Sequence, residues 1–508
     1  MTEGSKLTLN HVADALFGVS LSPEWRDRII SDTVIDSRAA TAGSLFVALR
    51  GEKTDGHLFV NAAFEGGATA AIAQDRALEA CDRAAFVMPD GAVQVRGPAT
   101  ETQRAREHLP VVFVVPDSLA ALQQLATWWR SRLPVVTIGV TGSVGKTTTK
   151  ETIANVLATR YTTTRSEGNL NNEIGLPLTL LRLGPAMERA VLEMGMYTLG
   201  EIAQLCEMAK PRIGVVTNVG PVHLERLGAI EAIAQAKSEL PRSLPPADEG
   251  GVAILNRDDS LVWAMASVTK ARVFSYGLHP EADLWADEII SRGLEGIRFR
   301  CHHGRKVYHL RLPMLGRHSV HTALRGAAAG LADGLSWDEI VSGLQEIRGQ
   351  LRLMVVPGLR DTTLIDDTYN ASPDSSLAAL NLLAEIANTS HRAVAVLGNM
   401  HELGSYAEAG HRLVGARAAQ VVDKLITVGQ MARWTAEEAL AAGMKSIDVH
   451  PVGSNTDAVG ILQGLIQTGD VVLIKGSRAA AMEMIVDALS RGCNSPDATA
   501  ATLGMKEA

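Results

Sequence analysis

The stretch VTIGVTGSVGKTTTKE, Val136–Glu151, decides how the whole chain is read. It begins as an apolar β-like run, turns through glycines and passes into a helical pattern. A strand–loop–helix of this kind lets the backbone approach phosphate oxygens closely. It also turns N–H groups and a helix N-terminus toward negative charge. Gly142, Ser143, Gly145, Lys146, Thr147 and Thr148 are therefore the expected phosphate cradle. Lys146 can reach the β- and γ-phosphates, and Thr147 can hold Mg²⁺. The general pattern has a glycine where Val140 stands, and Gly139 lies one residue earlier, so this loop is a variant. Such a loop implies nucleotide binding without choosing the reaction, because kinases, motor ATPases, GTPases and ligases all use it.

Outward from the loop, the pattern divides into three blocks, 1–133, 134–346 and 347–508. The first carries short β-like runs at Ser44–Leu49 and Ala68–Ala73. The polar stretch Pro89–Pro110 reads as a surface insertion loop, VVFVV at Val111–Val115 as a buried strand, and Ser118–Arg132 as a helix with Ser118 as N-cap. In the second block the strands Val135–Val140, Ala190–Glu193, Ile213–Thr217 and Gly251–Leu255 alternate with helical stretches and lead to an alanine-rich helix at His321–Leu331. That alternation predicts a parallel sheet covered by helices. The third block, with strands at Thr363–Asp366, Ala393–Leu397, Lys424–Val428 and Val471–Lys475, reads as a smaller Rossmann-type α/β domain. The tail after Arg491 is small and polar.

Ligands of parallel sheets gather at the carboxyl ends of the strands. Glu193 ends one such strand and is a natural oxygen ligand for Mg²⁺. His223 follows a Gly-Pro turn at the end of the next strand, and the residues leave a ligand and an ordinary loop histidine equally open. On spacing alone Lys237 reads as a helix-surface lysine. Asn169, Asn171 and Asn172 cluster within EGNLNNEIGLPLTLL; they either bind a polar ligand or make loop turns.

Taken in order, TGSVGKTTTKE, EGNLNNEIGLPLTLL, LEMGMY, TNVGPVHLE, AKSEL and LNRDD resemble the central domain of the Mur ligase family. DSRAATAGSLFVALRGEKTDGHLFV (Asp36–Val60), DDTYNASPDS (Asp366–Ser375) and LGNMHELG (Leu397–Gly404) resemble one branch of it. The resemblance implies an N-terminal UDP-sugar-binding domain, a central ATPase-like domain and a C-terminal Rossmann-like domain. It implies a ligase of peptidoglycan synthesis that consumes ATP with Mg²⁺ and joins D-alanyl-D-alanine to UDP-N-acetylmuramoyl-tripeptide through an acyl phosphate. Thr147 and Glu193 then match ligands of a first Mg²⁺, His223 a ligand of a second, and Lys237 the family's carbamylated lysine. Asn256 and Asp258 match a segment near the nucleotide. Arg352 matches an arginine that reaches the γ-phosphate, and Asp367 an acidic residue near the phosphates. Ser37, Arg38, Asn169, Asn171, Asn172 and Asn370 are the expected substrate contacts, and a monomer is the implied state. The family's Gly-x-His-Asn-x-x-Asn-Ala pattern reads here as Gly316 to Ala323, with Ser319 and Thr322 in place of the two asparagines. The second of these lies against the adenine, and a threonine cannot reproduce both groups of an amide. Ser372 and Asn399 also depart from the family, in the region of the dipeptide.

The bulk properties agree. A formal net charge of -8 argues against a nucleic-acid-binding surface. The four cysteines are scattered without a CxxC pair, which fits a reducing, cytoplasmic setting rather than a disulfide framework. There is no secretion signal at the start and no apolar run of roughly 18 residues, so membrane insertion is not expected. The DNPR segment of a sister ligase that adds a diamino acid is missing, and the UDP-sugar-like segment argues against a folylpolyglutamate synthetase. A nucleotide-binding protein without catalysis is the reading from another class.

Overall fold

The structure, a computed structural model, describes residues 6–51, 54–77, 81, 83–96, 109–222, 224–346, 354–387 and 391–490. Its strands form three sheets. The first runs β1 (Thr33–Val34), β2 (Leu45–Val47), β3 (Ala70–Ala73), β6 (Val111–Val114), β4 (Ala84–Val87) and β5 (Val93–Arg96), and every pairing but β4–β5 is parallel. Residues alternate between two cores. Leu45, Ile72, Val87 and Phe113 join one cluster, and Phe46, Ala71, Phe86 and Val112 the other. Burial on both faces explains why these strands read as unbroken apolar runs.

Two expectations fail in this domain. Val93–Arg96, inside the stretch read as a loop, forms an edge strand antiparallel to β4. All four of its residues are exposed, so no burial periodicity marks it; the pairing is set by the turn at Asp90–Gly91. The rest of that stretch, 97–108, lies outside the described residues. The helix after β6 covers Ser118–Ser131, but its N-cap is Asp117, whose carboxylate accepts the backbone N–H groups of Leu119 and Ala120. A carboxylate also suits the positive end of the helix dipole.

This helix joins the first sheet to the second. The Trp129 indole donates to the Leu183 carbonyl at 2.8 Å, and the buried Arg130 donates to the carbonyls of Val135 and Ala209. One apolar cluster runs through both domains, from Leu9 and Phe113 to Leu240.

The central sheet has the order β15-β14-β13-β12-β11-β10-β7-β9-β8. Its parallel part consists of β7 (Val136–Thr141), β8 (Thr163–Arg165), β9 (Arg189–Glu193), β10 (Ile213–Val216), β11 (Val252–Asn256) and β12 (Arg272–Gly277). The register pairs Val140 with Glu193 and Thr141 with Val216, so the carboxyl ends of these strands lie at one edge. The sheet is not wholly parallel, as the alternation of strands and helices predicts. β13 (Leu284–Ser291), β14 (Ile297–His303) and β15 (Lys306–Leu312) extend it as an antiparallel meander. One face packs on the helices Lys146–Ala158, Ser319–Ala332 and Trp337–Gln345. The other packs on Gly175–Leu181, Glu201–Ala209 and Ile230–Arg242.

The third sheet has the order β16-β17-β21-β18-β19-β20. β16 (Met354–Pro357) is antiparallel to β17 (Thr363–Asp367). β18 (Ala393–Gly398), β19 (Lys424–Val428), β20 (Val449–Val452) and β21 (Val471–Lys475) continue in parallel. The helices Pro373–Ala387 and Ala407–Val421 cover one face; Asn455–Leu465 and Glu483–Leu489 cover the other. Among the described residues no helix is long and apolar enough to cross a membrane.

Candidate active site

The phosphate loop is built from the end of β7 and held by the end of β10. Gly142 has φ +145, and a Cβ there would lie 1.8 Å from the Thr217 hydroxyl oxygen, so only glycine fits. That hydroxyl donates to the Val144 carbonyl at 2.7 Å. Asn218 ties down two residues, its side-chain oxygen accepting the Val144 N–H at 2.8 Å and its backbone oxygen that of Ser143. Gly145, at φ +81, caps the helix Lys146–Ala158 without a side-chain bond, and the first-turn residues Lys146, Thr147 and Thr148 line the cavity. Lys146 Nζ curls over the loop to the Gly142 carbonyl at 2.9 Å.

Beside the loop, Glu193 ends β9 almost fully buried, at 1% exposure. Its two oxygens accept the Thr147 hydroxyl at 2.6 Å and the Asn171 amide at 2.9 Å. The Thr147 hydroxyl and the Glu193 carboxylate at one spot are oxygen donors of the kind Mg²⁺ selects. Asn172 caps the next helix through the Gly175 N–H, so the asparagine cluster both makes a turn and faces the cavity.

Lys237 is not the helix-surface lysine its spacing indicates. It lies on the helix Ile230–Arg242 with 2% exposure and lines the same cavity. Burial first, then the positive charge of Lys146, hold its amine well below the usual lysine range. The spacing misses this because Lys237 lies on the same helix as the core residues Ile233, Ala236 and Leu240. His223 and Arg352 lie outside the described residues. Among the described residues, no group of three or more His, Cys, Asp or Glu side chains gathers as a metal cluster.

The cavity is about 830 Å³, enough for a nucleotide. Farther along it, Asn256 donates to the Thr217 carbonyl and accepts the Asp258 N–H. Burial pushes the Asp258 carboxyl up, but hydrogen bonds from His321 and from the Leu278 and His279 amides outweigh it and hold it low. Thr322 is buried, and its hydroxyl accepts a bond from Arg325 at 3.0 Å. Burial and the nearby Arg325 push the His318 imidazole down to about 4.

The opposite wall comes from the third domain. Asp367 and Lys475 are register partners on β17 and β21, and their side chains meet at 2.6 Å. Lys475 Nζ also donates to the Asn370 carbonyl at 2.8 Å. Asn370, Ser372 and Asp374 line the cavity. Asn399 instead accepts the Ala432 N–H, as part of a turn. Ser37 and Arg38 are outside this cavity, in a short turn of the first domain where Arg38 pairs with Asp36.

Three further residues of the site, Asn218, Arg325 and Lys475, escape a reading of the sequence. The marks they leave there are the asparagine of TNVGPVHLE, a lysine ending the apolar run VVLIK and an arginine inside an alanine-rich helix.

Comparison with known proteins accounts for nearly the whole chain. The Mur ligase family catalytic domain matches residues 30–127, the Mur ligase middle domain 140–330, and the Mur ligase glutamate ligase domain 351–478. UDP-N-acetylmuramoyl-tripeptide--D-alanyl-D-alanine ligase of Synechocystis is 35% identical over 494 residues, covering 96% of this chain and 98% of that one. A crystal structure of MurF from Acinetobacter baumannii superimposes with a TM-score of 0.79 at 29% identity, covering 95% of this chain and 98% of that one. MurF ligase of Thermotoga maritima, solved in complex with ADP, gives 0.73 at 26% identity, covering 91% and 98%. The chain belongs to the Mur ligase family.

Proposed function

We propose that the chain uses ATP to activate the terminal carboxylate of UDP-N-acetylmuramoyl-tripeptide and joins it to the amine of D-alanyl-D-alanine. The products are the UDP-linked pentapeptide of peptidoglycan synthesis, ADP and phosphate. The observation that carries this reading is the meeting of Lys146, the Thr147–Glu193 oxygen pair and the buried Lys237 in one cavity.

The chemistry must bring two anions together, a carboxylate and the γ-phosphate. Lys146 and the N–H groups at the start of its helix lower that repulsion and stabilise charge in the phosphoryl-transfer transition state. A carboxylate oxygen attacks the γ-phosphorus and ADP leaves. The dipeptide amine then attacks the acyl-phosphate carbon, loses a proton, and the tetrahedral adduct expels phosphate. Divalent cations held by Thr147, Glu193, His223 and a carbamylated Lys237 would withdraw charge from the phosphate oxygens. Lys237 suits that modification, since a neutral buried amine can add CO₂ and release a proton, becoming an anion beside Lys146. Gly142, Ser143, Gly145 and Thr148 shape the cradle, and Asn256, Thr322 and Arg352 are the further nucleotide-binding residues. Asp367, Arg352 and His223 complete the catalytic set. Asn169, Asn171, Asn172 and Asn370 contact the peptide and dipeptide, and Ser37 and Arg38 contact the UDP-sugar. Two domains form the walls, so closure assembles the site and keeps water from the acyl phosphate.

The domain boundaries at 133/134 and 346/347 belong to this reading. So does a monomer that works in the cytoplasm, where its nucleotide substrates are, on neither nucleic acid nor membrane. Among the described residues Cys81, Cys206 and Cys301 are in no disulfide, which suits a reducing compartment. The test is phosphate release with ATP, Mg²⁺ and the UDP-sugar tripeptide, with and without D-alanyl-D-alanine. Release that requires both, with a pentapeptide product by mass, is expected. Release indifferent to the dipeptide would reject the acceptor. No release from a folded, ADP-binding sample would favour a protein that binds nucleotide without catalysis.

A further inference from the structure

Arg325 lies on the helix Ser319–Ala332 with 5% exposure, and burial pushes its guanidinium below the usual arginine range. Its Nε donates to the His321 carbonyl at 3.0 Å and its Nη2 to the Thr322 hydroxyl at 3.0 Å. Among the described residues no carboxylate pairs with it, and its guanidinium carbon lies 6.0 Å from the centre of the Tyr276 ring. A buried cation without an anion is costly, and such groups persist where an anion is supplied. Nη1 points at the phosphate loop. A Cβ at Gly145 would lie 3.5 Å from it, and both Arg325 and Gly145 line the cavity.

We propose that Arg325 is a phosphate ligand of the bound nucleotide, reaching from the helix Ser319–Ala332 across Gly145 to the phosphate oxygens held by the loop. The planar fork fits this role, because Nε and Nη2 are anchored on their own helix and Nη1 is left for a charge-assisted bond. The Thr322 hydroxyl then positions Arg325, which gives this residue a role that does not depend on the adenine. The proposal rests on nucleotide binding at this loop and adds a residue to it.

The experiment is calorimetric titration of the full chain with ADP and Mg²⁺, with inorganic pyrophosphate, and with adenosine, for wild type, Arg325→Met and Arg325→Lys, beside melting of each protein without ligand. The expected result for Arg325→Met is ADP and pyrophosphate affinities weakened about tenfold or more. Adenosine binding stays unchanged, and the unliganded melting temperature is equal or higher, because an unpaired buried charge has gone. Arg325→Lys should recover part of the loss, since a point charge replaces the fork. If Arg325→Met does not fold, the lysine variant decides, by a severalfold loss on ADP and pyrophosphate at wild-type melting temperature. Unchanged ADP and pyrophosphate affinities in the folded variants overturn the proposal, as does an equal loss on adenosine, which would put the contact on the base. A wild-type protein that binds neither ADP nor pyrophosphate would instead refute nucleotide binding itself.

Discussion

The two walls of the cavity hold their charges differently. On the central wall the cationic groups Lys146 and Arg325 rest on backbone carbonyls and a hydroxyl, and Lys237 is buried beside them. Glu193 is held by a hydroxyl and an amide, and among the described residues no cation pairs with it. On the C-terminal wall Asp367 and Lys475 neutralise one another directly. The central wall therefore sets its cations beside the phosphate loop, whereas on the C-terminal wall the Asp367–Lys475 pair fixes local geometry. Losses on the first should appear in chemistry, and losses on the second in stability.

The largest effect should come from Lys146→Ala, with phosphate release falling about 10³-fold while the melting temperature hardly moves. A large drop in melting temperature would break the comparison, because Lys146 would then be holding the fold. Glu193→Gln should lower kcat roughly 10²-fold, with part of the loss recovered at high Mg²⁺ concentration, as expected for a weakened metal ligand. Insensitivity to Mg²⁺ would assign Glu193 to holding Thr147 and Asn171 only.

On the other wall, Lys475→Met should destabilise the protein by about 3 kcal/mol, because the partly exposed Asp367 is left without the buried cation that it pairs with. The double variant with Asp367→Asn should regain much of that. Thermal melting measures both, and no recovery in the double variant would mean that the Asn370 contact, not the ion pair, dominates.

The smallest effect concerns His318, whose cavity neighbours include Arg325 and Lys475, one from each wall. Its folded pKa is depressed to about 4 from an ordinary 6.5, so the unfolded chain binds the extra proton between these values. The contribution is present above pH 6.5 and is lost as pH falls toward 4. On the order of 2 kcal/mol should disappear between pH 7.5 and 5, and His318→Gln should flatten that slope in urea unfolding. An unchanged slope would place the acid sensitivity elsewhere.

Much of this frame is legible in the residues. The strand–loop–helix at Val136–Glu151 is local, since glycines, an apolar run and a helix start act within a few residues of one another. Strands buried on both faces, such as Val111–Val114 and Val471–Lys475, are readable because every residue is apolar up to the last. The exposed edge strand Val93–Arg96 and the half-exposed meander from Leu284 to Leu312 are not, because their pairing partners, not their own periodicity, make them strands. The Asp117 cap is within reach of a sequence reading, one residue before Ser118.

The chain's own order of residues thus determined the three-block α/β plan, the phosphate loop and the carboxylate at the end of β9, all of which follow from short-range backbone and side-chain preferences. Only the tertiary structure decided that Lys237 is buried beside Lys146, that Asp367 faces Lys475, and that Arg325 reaches Gly145. These pairs are separated by tens to more than a hundred residues. What brings them together is the register of parallel strands and the packing of helices on the sheet, and no local pattern encodes the distance between such side chains.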